Sequence, residues 1–139
     1  IGLYSELARS QIVKARREID SHGIGTSATE IRIFRESSIM SESNDQKRLN
    51  TFSDFYSLSE FRDLVFHVQE HRFTFPQIKK CLDELGLKFC GFEHTELVSN
   101  FKQFHGKEVD ICDLMLWHEF EENHPNKFFG MYQFWCQKL

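Results

Sequence analysis

The chain has 139 residues, which suffice for one domain of ordinary size. Its hydrophobic fraction of 40% and charged fraction of 27% are typical of a globular protein. With 17 basic and 21 acidic residues the formal charge is −4, so no overall charge favours nucleic acid or anionic lipid. No apolar run approaches the roughly 20 residues that span a bilayer. We therefore expect a cytoplasmic protein that binds neither nucleic acid nor membrane.

The spacing of the four cysteines argues against a thiol-based metal or redox motif. They form no C-x-x-C pair, and they are Cys81, Cys90, Cys112 and Cys136. In a secreted chain they could form two disulfides. Cys81 and Cys90 lie among residues with core-like patterning, so we expect free thiols in a reducing compartment.

The first residues predict a strand followed by a helix. Residues 1–5 are typical of the interior of a strand, so we expect the chain to be the later part of a domain. Ser10 is placed to cap a helix over about 10–21. Gly23 supplies the usual helix stop.

Three later helices begin with the spacing of a capping box, in which two side chains satisfy backbone donors reciprocally. The pairs are Ser27 with Glu30, Ser57 with Glu60, and Thr74 with Gln77. The second of these helices extends to about Glu70, after a polar loop over 41–56. The third tolerates Pro76 in its first turn and ends at Gly86. Its predicted apolar face consists of Ile78, Cys81, Leu82 and Leu85.

The remaining residues predict a strand, two helices and a final strand. The short apolar stretch 87–93 follows a helix stop and predicts a strand. Helices are predicted over about 95–104 and 110–123. The aromatic-rich stretch 130–138 has no helix cap and predicts the last strand.

Together these elements predict a single partial domain over 1–139 of the α/β class, mostly helical with a small mixed sheet of about three strands. It comprises a strand over 1–5, a helical segment over 10–70, and a helix-strand-helices-strand unit over 74–139. A strand of about five residues needs a partner for its backbone groups, so we expect 1–5 to pair with one of the other strands.

Three phrases in the sequence resemble a known family. They are GLYSELAR at 2–9, RDL through HVQEHR at 62–72, and GMYQFW at 130–135. They are similar to a bacterial group of class I S-adenosylmethionine-dependent methyltransferases whose methyltransferase domain often follows tetratricopeptide repeats. In this Rossmann-like fold, 1–5 resembles the end of the fifth strand, 74–93 the last crossover helix and sixth strand, and 131–138 the antiparallel seventh strand.

The resemblance implies that the cofactor is held elsewhere. The family binds S-adenosylmethionine on a Gly-rich turn after its first strand and an acidic residue after its second. This sequence has no such turn, because Gly23 and Gly25 follow a predicted helix. We therefore expect S-adenosylmethionine to bind only to the full-length protein, with the N-terminal half of the domain as the partner of this chain.

The stretch His67-Val68-Gln69-Glu70-His71 matches H-x-x-E-H, in which two histidines on one helix bind zinc and the glutamate activates water. Phe73 to Pro76 interrupts the helix directly afterwards, and we assign no metal.

The resemblance offers a different role for this stretch, because the fold commonly places substrate-contacting segments between its fifth strand and last crossover helix. His67, Glu70, His71 and Arg72 then line the methyl-acceptor pocket, or form an internal polar network.

Tyr4 and Ser5 complete the predicted substrate-binding set. They lie at the carboxyl end of the first strand, where open α/β sheets bind ligands. The alternative is that they only terminate the strand, with Ser5 capping the turn that follows. His118, Glu119, Glu121, Glu122 and His124 are spread around a helix, which is typical of a solvated face.

The aromatic residues support a second hypothesis for function, a non-catalytic interaction or oligomerisation module with an aromatic docking surface. The chain has 15 phenylalanines, and we expect some of them to cover a sheet face or edge that the N-terminal half buries. Near the end of the chain, the candidates for a core or docking surface are Trp117, Phe120, Phe128, Phe129, Phe134 and Trp135. On this hypothesis, the aromatic surface docks a partner or a second copy of the chain. If the chain is instead the later half of a domain, we expect the isolated chain to pair with a second copy or to expose apolar surface.

Overall fold

The fold is known from a computed structural model that describes residues 1–43, 49–66 and 69–139. The described helices are α1 (Ser10–Ser21), α2 (Ala28–Met40), α3 (Leu58–Phe66), α4 (Phe75–Glu84), α5 (Thr95–His105) and α6 (Leu114–Asn123). The described strands are β1 (Gly2–Ser5), β2 (Arg72–Phe73), β3 (Leu87–Phe92) and β4 (Met131–Lys138). Short 3₁₀ turns occupy Ser53–Tyr56 and Pro125–Phe128. The α/β class and the mixed sheet are thus confirmed, with four strands rather than three.

The sheet has the order β2-β1-β4-β3. β4 runs antiparallel to both of its neighbours, β1 and β3, which are therefore parallel to each other. β1 also pairs in parallel with β2, with Tyr4 opposite Arg72. Residues 1–5 thus find the partner that an isolated strand requires. β2 was not predicted, because a strand of two residues is too short to show an alternating hydrophobic pattern.

The chain divides into two compact units, one of residues 1–8 and 71–139 and the other of residues 9–70. The first contains the sheet with α4, α5 and α6, and the second contains α1, α2 and α3. In the first unit, side chains from the three helices bury one face of the sheet, which Tyr132 and Phe134 occupy. Met131 and Trp135 lie on the opposite face, where they are 43% and 63% exposed.

Phenylalanine dominates both cores. Eleven of the 15 phenylalanines are buried: Phe34, Phe52, Phe55, Phe61, Phe75, Phe89, Phe92, Phe101, Phe120, Phe128 and Phe134. In the second unit, the Phe61 ring lies 5.0 Å from Phe55 and 6.3 Å from Phe34, between ring centroids. In the first unit, Phe101 stacks on Trp117 at 3.7 Å. Such rings contribute large buried apolar areas, and edge-to-face contacts are the commonest arrangement here.

Two predicted capping boxes are confirmed, at the start of α2 and at the start of α4. In α2 the Glu30 amide donates to Ser27 Oγ, and the Glu30 carboxylate accepts from the Ser27 amide. In α4 the Gln77 amide donates to Thr74 Oγ1, and the Thr74 amide donates to Gln77 Oε1 at 2.8 Å. For α3, the Glu60 amide lies 3.5 Å from Ser57 Oγ. Each such cap satisfies backbone donors that the helix itself leaves open.

Several predicted boundaries and faces are wrong. Ser10 is the first helical residue of α1 and does not cap it; Arg9 is the N-cap. The helix predicted from Asp110 begins at Leu114, because the Asp113 carboxylate accepts from the Met115 amide and caps it there. The third helix is described over Leu58–Phe66, and Gln69 and Glu70 are not helical, so its predicted extension to about Glu70 is wrong.

The predicted apolar face of α4 is also partly wrong. Cys81 is exposed, and Leu85 is 67% exposed. Ile78 and Leu82 point into the core as predicted, and Phe75 joins them there. The four cysteines are free thiols in the structure, two of them exposed and two half-buried. No described helix has the length and apolar character that crossing a membrane requires.

Candidate functional site

The pairing of β1 with β2 brings three of the predicted site residues to one edge of the sheet. Tyr4 and Arg72 are register partners in parallel strands, so their side chains emerge on the same face. Both are half-buried, and the exposed His71 directly precedes Arg72. The Glu6 amide donates to the Phe73 carbonyl at 3.0 Å and extends this pairing beyond β1. A phenol, a guanidinium and an imidazole therefore lie near the carboxyl ends of two parallel strands, where open sheets bind ligands.

Ser5 lies at the same edge but is fully buried. Its hydroxyl accepts a hydrogen bond from the Ala8 amide at 2.9 Å and donates one to Glu121 Oε1 at 2.5 Å. Both bonds are internal, so in this conformation Ser5 holds the turn after β1 and offers no free atom to a ligand. This is the alternative role that the sequence left open for Ser5.

Glu121 and Tyr132 complete a buried polar cluster with Ser5. Tyr132 Oη donates to Glu121 Oε1 and Oε2 at 2.7 and 2.8 Å. Neither side chain was predicted, and Glu121 was assigned to a solvated face of its helix. The carboxylate is instead fully buried. A signal was available, since position 121 lies on the same helix face as Trp117 and Leu114, both of which are buried.

Burial dominates the electrostatics of this cluster. It raises the pKa of Glu121, while the hydroxyl donors of Ser5 and Tyr132 and the nearby His118 act in the opposite direction. Burial, followed by the charge of Glu121, raises the pKa of Tyr132 far above its ordinary value. Tyr132 therefore keeps its proton and remains a donor. The cluster can hold the turn after β1 in one arrangement, and it contains a carboxyl group whose protonation changes that hold.

The described part of the H-x-x-E-H stretch, residues 69–71, is not helical. His67 lies outside the described residues, and Glu70 and His71 follow the end of α3 rather than lying on it. Glu70 belongs to the second unit, where its Oε2 accepts from Arg16 Nη2 at 3.0 Å. The same arginine donates from Nε and Nη2 to the Leu64 carbonyl at 3.2 and 2.7 Å. Glu70 and Arg16 thus fasten the end of α3 to α1.

The part of the chain that the structure describes contains no group of three or more His, Cys, Asp or Glu side chains able to hold a metal. The glycines also do not form the Gly-rich turn that the family resemblance implies for binding S-adenosylmethionine. Gly23 has φ of 60° and ends α1, and Gly25 packs against the Glu30 carboxylate. Gly91 lies inside β3. None of these three glycines therefore lies in the strand-to-helix turn that the resemblance implies for the cofactor.

Comparison with known proteins leaves the family open. No protein-family model matches the chain. No curated protein matches it either.

Proposed function

We propose that this chain is the acceptor-facing, C-terminal part of a class I S-adenosylmethionine-dependent methyltransferase domain. The observation that carries the proposal is the sheet. The three strands that resemble the fifth, sixth and seventh strands of that family are β1, β3 and β4. β1 and β3 are parallel, and β4 is antiparallel to both, which agrees with the orientation that the resemblance requires of the seventh strand.

The edge residues supply the chemistry that an acceptor site needs. Arg72 offers a fixed fork of donors for an anionic or carbonyl group, and Tyr4 offers a flat apolar ring with a hydroxyl. His71 offers an imidazole nitrogen that can accept a proton from a nucleophile. The adjacent Ser5 and Glu121 hold the turn after β1, which fixes one wall of the site. Methyl transfer depends mainly on such positioning of the acceptor.

The proposal is tested by calorimetric titration of S-adenosylmethionine into two proteins, residues 1–139 alone and the full-length gene product that contains them. We expect heat of binding only with the full-length protein, because the Gly-rich turn is absent from this chain. We further expect the full-length protein to lose methyl transfer, but not cofactor binding, when Tyr4 is replaced by alanine. Absence of cofactor binding to the full-length protein contradicts the proposal.

A second candidate function is a non-catalytic interaction module, and the exposure of Met131 and Trp135 favours it. These two side chains lie on the sheet face opposite α4, α5 and α6, while most of the aromatic residues proposed for a docking surface are buried. On this hypothesis a second copy covers the face. Sedimentation equilibrium of residues 1–139 tests it, with Trp135→Ser as the variant that abolishes the dimer. A monomer at all concentrations contradicts it.

A further inference from the structure

A groove in the first unit follows the edge of the sheet at which β3 ends and β4 begins. It consists of two adjoining cavities of about 330 and 340 Å³ that share Asn100 and Lys127 in their walls. His94, which follows β3, and Met131, the first residue of β4, line the first cavity. Phe104, Phe120 and His124 line the second. Each cavity lies within the range of about 300–1,000 Å³ typical of small-molecule sites, and the carboxyl edge of an open sheet is where ligands bind.

The second cavity presents an aromatic surface to a ligand. His124 stacks on Phe120 with ring centroids 4.7 Å apart and an interplanar angle of 27°. Phe104 meets both rings at steep angles, 84° to His124 and 64° to Phe120. Among the described residues no ring lies parallel to Phe104, and its side chain is 42% exposed. A planar ligand can therefore stack on the face of Phe104.

Polar groups of fixed direction surround this aromatic surface. His124 Nδ1 lies 3.1 Å from the Phe120 carbonyl, so it donates that bond and leaves Nε2 as an acceptor. Asn100 and Gln103, one turn apart on α5, add amide donors and acceptors. Within the described ranges, neither amide side chain has a hydrogen-bond partner. These groups suit the edge of a heteroaromatic ring better than a plain hydrocarbon ring, which would leave them unsatisfied.

The charged side chains of the groove indicate which group the other end of the ligand carries. Lys127, at the junction of the two cavities, forms no ion pair with any described residue and can bind an anion. Glu96 lines the first cavity, where its charge disfavours any further phosphate. The net charge of −4 likewise disfavours a polyanion. We propose that this groove is a binding site for a mononucleotide, with the base on Phe104 and His124 and the phosphate at Lys127.

The proposal is independent of methyl transfer, and residues 1–139 suffice to test it. Adenosine 5′-monophosphate, uridine 5′-monophosphate and adenosine are titrated calorimetrically, and binding is located by the NMR shifts of the His124 and Asn100 side chains. We expect a mononucleotide to bind and to shift both signals. Phe104→Ala removes the stacking surface and weakens binding about fivefold or more. Lys127→Ala lowers the affinity for adenosine 5′-monophosphate to that for adenosine.

Lys107→Ala serves as the matched control, because Lys107 is exposed and lies outside the groove. It is expected to leave all affinities unchanged. Thermal melting of each variant verifies that it is folded, and the exposed Lys127 can be replaced without touching the core. The proposal is overturned if neither mononucleotide binds at about 5 mM, a concentration that detects even millimolar affinity. It is also overturned if both groove variants bind as the unmodified chain does.

Discussion

Replacing Glu121 by glutamine removes an ionisable group from a fully buried position and keeps its shape. The amide oxygen still accepts from Ser5 and Tyr132, so the two closest contacts of the carboxylate survive. The buried charge, however, is lost. We expect the variant to be at least as stable as the unmodified chain at pH 8, and to differ from it in the pH dependence of stability.

The sign follows from linkage. The pKa of Glu121 is raised above its ordinary value of 4.5 in the folded chain, so in the window above that value the folded state binds more protons than the unfolded state. Its contribution to stability is fully present below about pH 4.5 and is lost as pH rises through the folded-state pKa. One proton limits this slope to about 1.4 kcal/mol per pH unit. The hydroxyl donors of Ser5 and Tyr132 favour the charged carboxylate and lower the pKa of Glu121. The pKa is nevertheless raised, because burial is the largest of these influences.

The assay is urea unfolding followed by tryptophan fluorescence at pH values from 4 to 8. Both tryptophans, Trp117 and Trp135, lie in the unit that contains Glu121, so the signal reports that unit. Glu119→Gln on the same helix is the control, because that side chain is exposed. We expect the free energy of unfolding of the unmodified chain, relative to Glu121→Gln, to fall as pH rises. A constant difference across this range, or one that grows with pH, refutes the reasoning.

Three further changes have expected outcomes. Ser5→Ala leaves the buried Ala8 amide without its acceptor and costs about 1–3 kcal/mol, measured by the same fluorescence assay. Arg16→Lys loses the two-pronged contact with the Leu64 carbonyl and the ion pair at the end of α3, so amide hydrogen exchange in α3 speeds up by about tenfold. Thr74→Ala removes the cap of α4 and lowers stability by about 1 kcal/mol, with Thr74→Ser restoring most of it.

Each of these three predictions would be contradicted by a specific result. An unchanged midpoint for Ser5→Ala would show that water or another group replaces the hydroxyl. Equal exchange rates in Arg16→Lys and the unmodified chain would show that the guanidinium does not fasten α3. Equal losses in Thr74→Ala and Thr74→Ser would place the effect outside the cap.

Local signals in this sequence were more informative than long-range ones. The capping boxes of α2 and α4 depend on side chains three residues apart, so the sequence alone locates them. β2 could not be found in this way, because its two residues become a strand only by pairing with β1. The exposure of Cys81 and Leu85 shows that the helical spacing of apolar residues does not by itself tell which of them are buried. That depends on the elements that pack against the helix, which the sequence does not reveal.

The candidate site shows the same division. The carboxyl end of β1 could be predicted from Tyr4 and Ser5, and the parallel partner brings Arg72 and His71 to it. Glu121 was assigned to a solvated face because its neighbours are charged or polar, although its spacing from Trp117 and Leu114 places it on the buried face of α6. Only the packing of α6 on the sheet buries it beside Ser5.

Transfer of a labelled methyl group tests the central proposal most directly. The full-length gene product is incubated with S-adenosylmethionine labelled in its methyl group and with an extract of its own cells, and labelled products are counted. The proposal predicts incorporation above that of heat-inactivated protein, reduced at least tenfold by Arg72→Ala and unchanged by Arg62→Ala, with cofactor affinity equal in all three proteins. No incorporation, or equal incorporation by the two arginine variants, contradicts a methyl-acceptor site at this edge of the sheet.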